Sequence, residues 1–439
     1  MPGAAHRRRS TCRVCGGRRL EVFLQLGPQP LANAYVDPAR TADEPWFPLD
    51  VAVCHDCRLV QLIDVIDPEL LFRDYAYRTG VSTAMDAHFR DYAKSVVEMQ
   101  KLGRKDLVIE VASNDGTLLK HFRDLGVRTL GIEPARNLAA ESRAAGIETL
   151  DLFFDAHAAE LVRNGHGPAR AVIANNVLAH VDDPVGFLSG MRLLVEGRPG
   201  ERPDADRRVW IEVPSVREML AELEYDTIYH EHLSYFGAGT LERACGEAGL
   251  EIAAVDALAV HGGSLRLSAR PERFPEPQDR TVEVPASLLR RGAEEIEAGL
   301  DQLETYRRFA ERVARHRDQL VRFLRDRKKD GASIAAYGAP AKGNTLLNWC
   351  RLGPDVIDFT VDRNPSKVGK LTPGMHLPIL PVETLLKRKP DFVLLLAWNL
   401  ADEIMGQQRE YARRGGRFIL PFPSPRVIGA EGIEGTAAR

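Results

Sequence analysis

Apolar and polar positions follow three different rhythms along this chain, and each predicts a different kind of structure. Residues 1 to about 75 hold short β-like runs broken by turns, without a helical period. From 87 to about 270, short apolar runs of buried-strand type alternate with amphipathic stretches, the signature of an α/β sheet with crossover helices. Strands are expected at 106–112, 129–133, 147–150, 169–176, 209–213, 250–255 and 264–269, with helices at 87–102 and from Thr117 onward. A proline- and charge-rich stretch, 271–287, reads as a linker. Ile296, Leu300, Leu303, Tyr306, Ala310, Val313, Leu320 and Leu324 then lie on one helical face and predict a single long helix over 288–328. Their spacing drifts from a strict heptad, so the helix reads as a brace between domains. The last third returns to α/β, with strands at 333–337, 356–362, 392–396 and 417–421. A glycine-rich turn, 338–345, is expected to lead into a helix at 346–350. A chain of 439 residues exceeds one core, and the boundaries expected are 1–75, 76–275 and 276–439.

Composition narrows the setting. With 44% apolar residues and a formal net charge of −3, the chain has the make-up of a globular protein, and nothing favours nucleic acid or a membrane surface as partner. His6-Arg-Arg-Arg9 is not followed by the apolar core of a secretory signal, and no window reaches the roughly 18 uncharged apolar residues of a spanning helix. The expected location is the cytoplasm. There, six cysteines arranged partly as Cys12-x-x-Cys15 and Cys54-x-x-Cys57 favour metal ligation over disulfides. Four thiolates, Cys12, Cys15, Cys54 and Cys57, make a closed tetrahedral set of the kind that holds structural Zn²⁺. His55, inside the second pair, is not expected to be a ligand.

Chemistry concentrates after the strands. The expected strand at 106–112 runs into Ser113-Asn-Asp-Gly116, and the next strand ends in Glu133 before Pro134. A turn followed by a strand-ending acid is how nucleoside ligands are held, backbone at the turn and carboxylate on the ribose. The turn lacks Gly-x-Gly-x-x-Gly and carries Asp115, which repels a pyrophosphate but suits the cationic S-adenosylmethionine. Seven expected strands agree with a methyltransferase sheet. Asn175, Asn176 and His180 fall just past another strand end, on the ligand side. Asp226-Thr-Ile-Tyr-His-Glu-His-Leu-Ser-Tyr-Phe236 follows the strand at 209–213 and sets Tyr229, His230, Glu231 and His232 side by side, suited to removing a proton beside a carbonyl. In the last third, Gly338-Ala-Pro-Ala-Lys-Gly-Asn-Thr345 offers amides and Lys342 to a phosphate without being a Walker loop.

These motifs, with His261-Gly-Gly-Ser-Leu-Arg266, occur in the order found in three-domain sugar C-methyltransferases, and the chain resembles that family over nearly its whole length. The resemblance implies a structural zinc module, a Rossmann-like class I methyltransferase domain that binds S-adenosylmethionine, and a second Rossmann-like domain that holds a nucleotide-sugar. The implied substrate is a dTDP-linked 4-keto deoxysugar of natural-product biosynthesis, methylated beside the ketone at C3 rather than C5 by an enzyme that is a monomer or small homo-oligomer. By position, Ala112, Asn114, Asp115, Gly116, Glu133 and Asn176 meet the cofactor, with Ala112 standing where the family often has glycine. His232, Glu231, Tyr229, Tyr77 and His180 form the catalytic set, with His232 as base, and Lys342 and Asn344 meet the substrate. An O- or N-methyltransferase is the alternative within enzymes, and a non-catalytic zinc-containing binding protein the alternative outside them.

Overall fold

In the computed structural model, residues 5–81, 83–197, 206–272 and 284–430 are described. The N-terminal strands Leu20–Pro30, Trp46–Cys54 and Val60–Leu62 form an antiparallel sheet whose far edge is completed by Ser234–Tyr235, the two residues just beyond Leu233. A module this small cannot bury enough apolar surface alone. Its Leu24, Leu26, Val51, Val60 and Leu62 belong to one cluster with Tyr225, Ile228 and Leu233 and with Phe309, Leu320 and Leu346 from further along the chain.

The central sheet has seven strands in the order Leu250–Leu258, Ser264–Pro271, Arg208–Pro214, Ala171–Asn175, Leu107–Val111, Arg128–Ile132, Thr149–Leu150. The last five of these are parallel, and Ser264–Pro271 runs antiparallel to both its neighbours. Being covered on both faces, the central strands read as continuous apolar runs, and Leu107–Val111 is buried throughout. The C-terminal sheet has six strands in the order Ile379–Pro381, Thr360–Asp362, Ile334–Tyr337, Phe392–Leu395, Arg417–Leu420, Arg426–Ile428, all parallel except the last. Among the described residues no helix is long and apolar enough to cross a membrane.

Several expected elements are corrected. The single helix at 288–328 is two, Ala286–Glu297 and Leu303–Lys329. Gly299 sits between them at φ +75°, where a Cβ would meet Thr305 Oγ1 at 2.8 Å, and Leu300 turns into the core while Ile296 stays exposed. The helix expected at 346–350 begins earlier, as Ala341–Cys350, because Pro340 caps it, so Lys342 and Asn344 lie in its first turns. The strand at 356–362 shortens to Thr360–Asp362, since the amides of Val356 and Ile357 turn back to the Gly353 carbonyl. The strand at 147–150 shortens to Thr149–Leu150 because the Ile147 amide closes the preceding helix on Ser142. The helix expected at 87–102 spans Thr83–Gln100. Most of the linker expected at 271–287 lies outside the described residues.

Candidate active site and zinc site

The four paired cysteines converge. Their sulfurs lie within 4.8 Å of one another, with Cys12–Cys57 at 3.5 Å and Cys15–Cys54 at 3.6 Å. Tetrahedral zinc with Zn–S bonds of ~2.3 Å needs sulfurs roughly 3.8 Å apart, so the set fits that ion with little adjustment. His55 turns away and meets Glu21 Oε2 at 3.0 Å.

The cofactor turn is a tightly wound segment. Ala112, Asn114 and Gly116 have φ of 56°, 52° and 78°, and a Cβ at Gly116 would stand 2.5 Å from Ser142 Oγ. The turn is fastened by acids on both sides. Asn114 N donates to Glu133 Oε2 (2.7 Å), Ala135 N donates to Glu133 Oε1 (2.8 Å), and Gly80 N donates to Asp115 Oδ2 (2.8 Å). Burial outweighs the two amide bonds on Glu133 and pushes its carboxyl up to about 7. Asn176, at φ 53°, donates its amide to the Glu212 carbonyl (2.7 Å). Ser113 Oγ, Asn176 Oδ1 and both amide atoms of Asn175 are buried without a hydrogen-bond partner. A turn edged by acids and ringed by unpaired polar atoms fits a cofactor that carries an ammonium, a sulfonium and ribose hydroxyls.

Tyr229-His-Glu-His232 lies where all three parts of the chain meet. His232 Nδ1 is 2.8 Å from the Thr227 carbonyl, which can only accept, so Nδ1 carries the proton; Nε2 faces the Tyr229 hydroxyl at 2.7 Å. The His232 ring also stacks on His180 (centroids 5.0 Å apart), which stacks in turn on Phe72. Burial pushes His180 down to about 4, so it is neutral at pH 7. His230 is turned toward the zinc module, with Nε2 at 3.0 Å from the Pro48 carbonyl and its ring edge-on to Phe47. Glu231 is 2% exposed and accepts from Tyr75 Oη (2.7 Å) and Asn33 Nδ2 (2.8 Å). Burial raises its carboxyl to about 7 against the effect of those two bonds.

The tyrosine bonded to Glu231 is Tyr75, two positions before Tyr77. Tyr77 is 44% exposed, and its carbonyl receives the Asn114 side chain (3.2 Å). Asn33 carries no local signal in the sequence, and Tyr75 none that sets it apart from Tyr77, since their partner is remote in the chain. From the C-terminal side, Trp398 Nε1 donates to Asp226 Oδ2 (2.7 Å) and Thr345 Oγ1 donates to the Ile228 carbonyl (3.2 Å). Lys342 lies over the Trp398 ring (5.4 Å) and offsets part of the rise that burial imposes on the carboxyls of Glu224 and Asp226. Asn344 is 1% exposed and donates to the Ala32 carbonyl (2.7 Å), so its amide joins the first part of the chain to the last.

Three family models match in order: a zinc binding domain (residues 12–72), a methyltransferase domain (85–255) and a C-methyltransferase C-terminal domain (259–423). The C-methyltransferase NovU of Streptomyces niveus is 39% identical over 421 residues, covering 96% of this chain and 97% of that protein. The chain belongs to the S-adenosylmethionine-dependent C-methyltransferase family. Its methyl donor is S-adenosylmethionine, and the four-cysteine cluster is its zinc site. Among solved structures, the magnesium protoporphyrin IX methyltransferase of Synechocystis PCC 6803 is 15% identical and covers 42% of this chain and 79% of its own (TM-score 0.30). The PH0226 protein of Pyrococcus horikoshii OT3 is 12% identical and covers 47% and 98% (TM-score 0.34).

Proposed function

We propose that this C-methyltransferase acts on a dTDP-linked 4-keto deoxysugar, methylating the carbon beside the ketone, C3 rather than C5, in antibiotic-sugar biosynthesis in the cytoplasm. The observation that carries the reading is the dyad of buried His232 and half-buried Tyr229 beside a buried carboxyl poised near neutrality. Methyl transfer to carbon, unlike transfer to oxygen or nitrogen, requires removal of a proton from a carbon acid. On this reading residues 1–75 carry the zinc, 76–275 the methyl donor and 276–439 the nucleotide-sugar, with Lys342 and Asn344 on the substrate side.

The roles follow from the protonation pattern. With Nδ1 committed to the Thr227 carbonyl, Nε2 is the basic atom of His232. It accepts the proton from the carbon beside the ketone as the Tyr229 hydroxyl leaves it, and that hydroxyl then donates to the enolate oxygen. Glu231, working ionised, keeps the pocket electrostatically suited to the imidazolium that forms, and Tyr75 and Asn33 hold it. Neutral His180 stacks against His232 and fixes the plane of its ring. S-adenosylmethionine, when bound, supplies an electrophilic methyl. Asn114, Asp115 and Gly116 would hold it at the turn, with Ala112 small enough to leave room, Glu133 would meet the ribose, and Asn176 would line the side toward the substrate.

The decisive test is solvent deuterium wash-in at the carbon beside the ketone of dTDP-4-keto sugars, with cofactor-free protein. Wash-in that His232→Asn abolishes supports the reading, and the same variant should lower turnover by roughly 10²–10⁴-fold with unchanged cofactor affinity. Methylation of a hydroxyl or amine without wash-in refutes it in favour of O- or N-methyl transfer.

A further inference from the structure

The segment 32–36 belongs to the zinc-bearing part of the chain, yet beyond its own local turn bonds its polar contacts reach elsewhere. The Ala32 carbonyl accepts from Asn344 Nδ2 (2.7 Å). Tyr35 Oη donates to the Ala339 carbonyl (2.5 Å), and Lys367 Nζ both donates to that carbonyl (2.9 Å) and lies over the Tyr35 ring (4.8 Å). Val36 pairs with Leu371 through reciprocal backbone bonds of 3.1 and 2.9 Å. The segment is therefore clamped to the C-terminal part of the chain at both ends, by a helix at Asn344 and by an isolated backbone bridge at Leu371. Between the clamps, Asn33 Nδ2 points the other way and donates to Glu231 Oε1 at 2.8 Å. The second oxygen, Oε2, is taken by Tyr75, so the carboxylate is gripped by one donor from each side.

We propose that Asn33 is a positioning residue for Glu231, delivered by a strap anchored on the C-terminal domain, so that the zinc module takes a direct part in setting up the methyl-transfer site. The proposal rests on the role given to Glu231 above. Both donors on Glu231 favour its ionised form, because each interacts more strongly with a carboxylate than with a neutral acid. The titratable groups facing Glu231 are the hydroxyls of Tyr75, Tyr229 and Tyr35, with the His232 ring behind Tyr229. Among the described residues the effects that favour its charge are the bonds from Tyr75 and Asn33, so the amide supplies the charge stabilisation on its side of the carboxylate.

The test is a pair of substitutions read against Glu231→Gln. Asn33→Ala removes the donor, and Asn33→Asp keeps the shape while replacing a donor by an acid. Hydrogen bonds to charged groups are worth about one to two pKa units. In Asn33→Ala the acid limb of the kcat–pH profile should therefore move up by about one unit, with turnover at pH 7 about fivefold lower. Asn33→Asp should move the limb further. Zinc content, S-adenosylmethionine affinity and KM for the sugar nucleotide should stay close to wild type, which a merely structural role would not allow. If Glu231→Gln abolishes turnover but both Asn33 variants keep the wild-type pH limb, the inference is overturned. It is equally overturned if the variants lose zinc or cofactor affinity in step with turnover. If Glu231→Gln itself turns over normally, the role given to Glu231 fails first.

Discussion

Replacing Glu231 by glutamine should make this protein more stable at alkaline pH, and the size of the gain follows from burial. The Glu231 carboxyl is pushed up from an ordinary value of 4.5 to about 7 by desolvation. An acid whose pKa is raised on folding contributes stability that is fully present below its unfolded value and lost as pH rises through its folded one. Here the window runs from about 4.5 to about 7, and 2.5 units at 1.36 kcal/mol each amounts to about 3 kcal/mol. Glutamine imitates the protonated acid: its oxygen can accept from Asn33, and its amide can donate to Tyr75 Oη. Glu133 and Glu224, both also raised to about 7, add to the alkaline loss in each protein and cancel in the comparison. The assay is urea unfolding of wild type and Glu231→Gln at about pH 5 and pH 8, comparing transition midpoints at a common m-value. The variant should gain about 2–3 kcal/mol on the wild type between those two pH values, and should also lose turnover. Parallel pH dependence in the two proteins would show that Glu231 is not strained by its charge, and would remove the argument for a carboxyl poised near neutrality.

Ala112 adopts φ 56°, which costs an L-residue roughly 1–2 kcal/mol, offset in glycine by about 0.5–1 kcal/mol of chain entropy. Ala112→Gly should therefore melt no lower than wild type, whereas branched Ala112→Val should melt lower and bind S-adenosylmethionine more weakly by calorimetry. Cys54→Ser should lower zinc content by elemental analysis and abolish turnover, because loss of the metal withdraws much of the module's folding energy and with it Asn33 and Tyr35. Tyr75→Phe should raise the acid limb of the kcat–pH profile by about one unit, and Tyr77→Phe should leave that limb in place, since of the two tyrosines it is Tyr75 that bonds Glu231. Trp398→Phe leaves the buried Asp226 carboxyl short of its indole donor and should cost about 1–3 kcal/mol in thermal or chemical unfolding.

Elements whose signal is local were legible in the sequence. Seven apolar runs corresponded to seven strands of the central sheet, because a strand covered on both faces has little choice but to be apolar. Two Cys-x-x-Cys turns led to one cluster for the same kind of reason, a ligand set demanding close spacing. Legibility stopped where a local signal competed with a tertiary one. The apolar face at 296–324 continues across Gly299, but a left-handed residue and the burial of Leu300 break the helix there. The glycines at 338 and 343 suggested a long turn, whereas the cap at Pro340 lets the helix begin at Ala341. At the site, Tyr75 and Tyr77 have the same spacing logic, and only the folded path of the chain puts one on Glu231 and leaves the other at the surface. Asn33 was out of reach altogether, because nothing in an isolated stretch of sequence specifies a hydrogen bond to position 231.

The short strand Ser234–Tyr235 completes the edge of the zinc module's sheet directly after the proton-handling residues. Those residues are thereby pinned at one end by another domain's backbone and at the other by Trp398 on Asp226. In this respect the centre resembles one formed between subunits of an oligomer, except that here the subunits are tied into one polypeptide. A chimera that exchanges only the methyltransferase domain with a relative would bring Tyr229, His232 and Glu231 along but leave their supports behind. Recombination that preserves activity should therefore move all three parts together, or re-match the few contacts at positions 33, 48, 61 and 398 on which the loop depends.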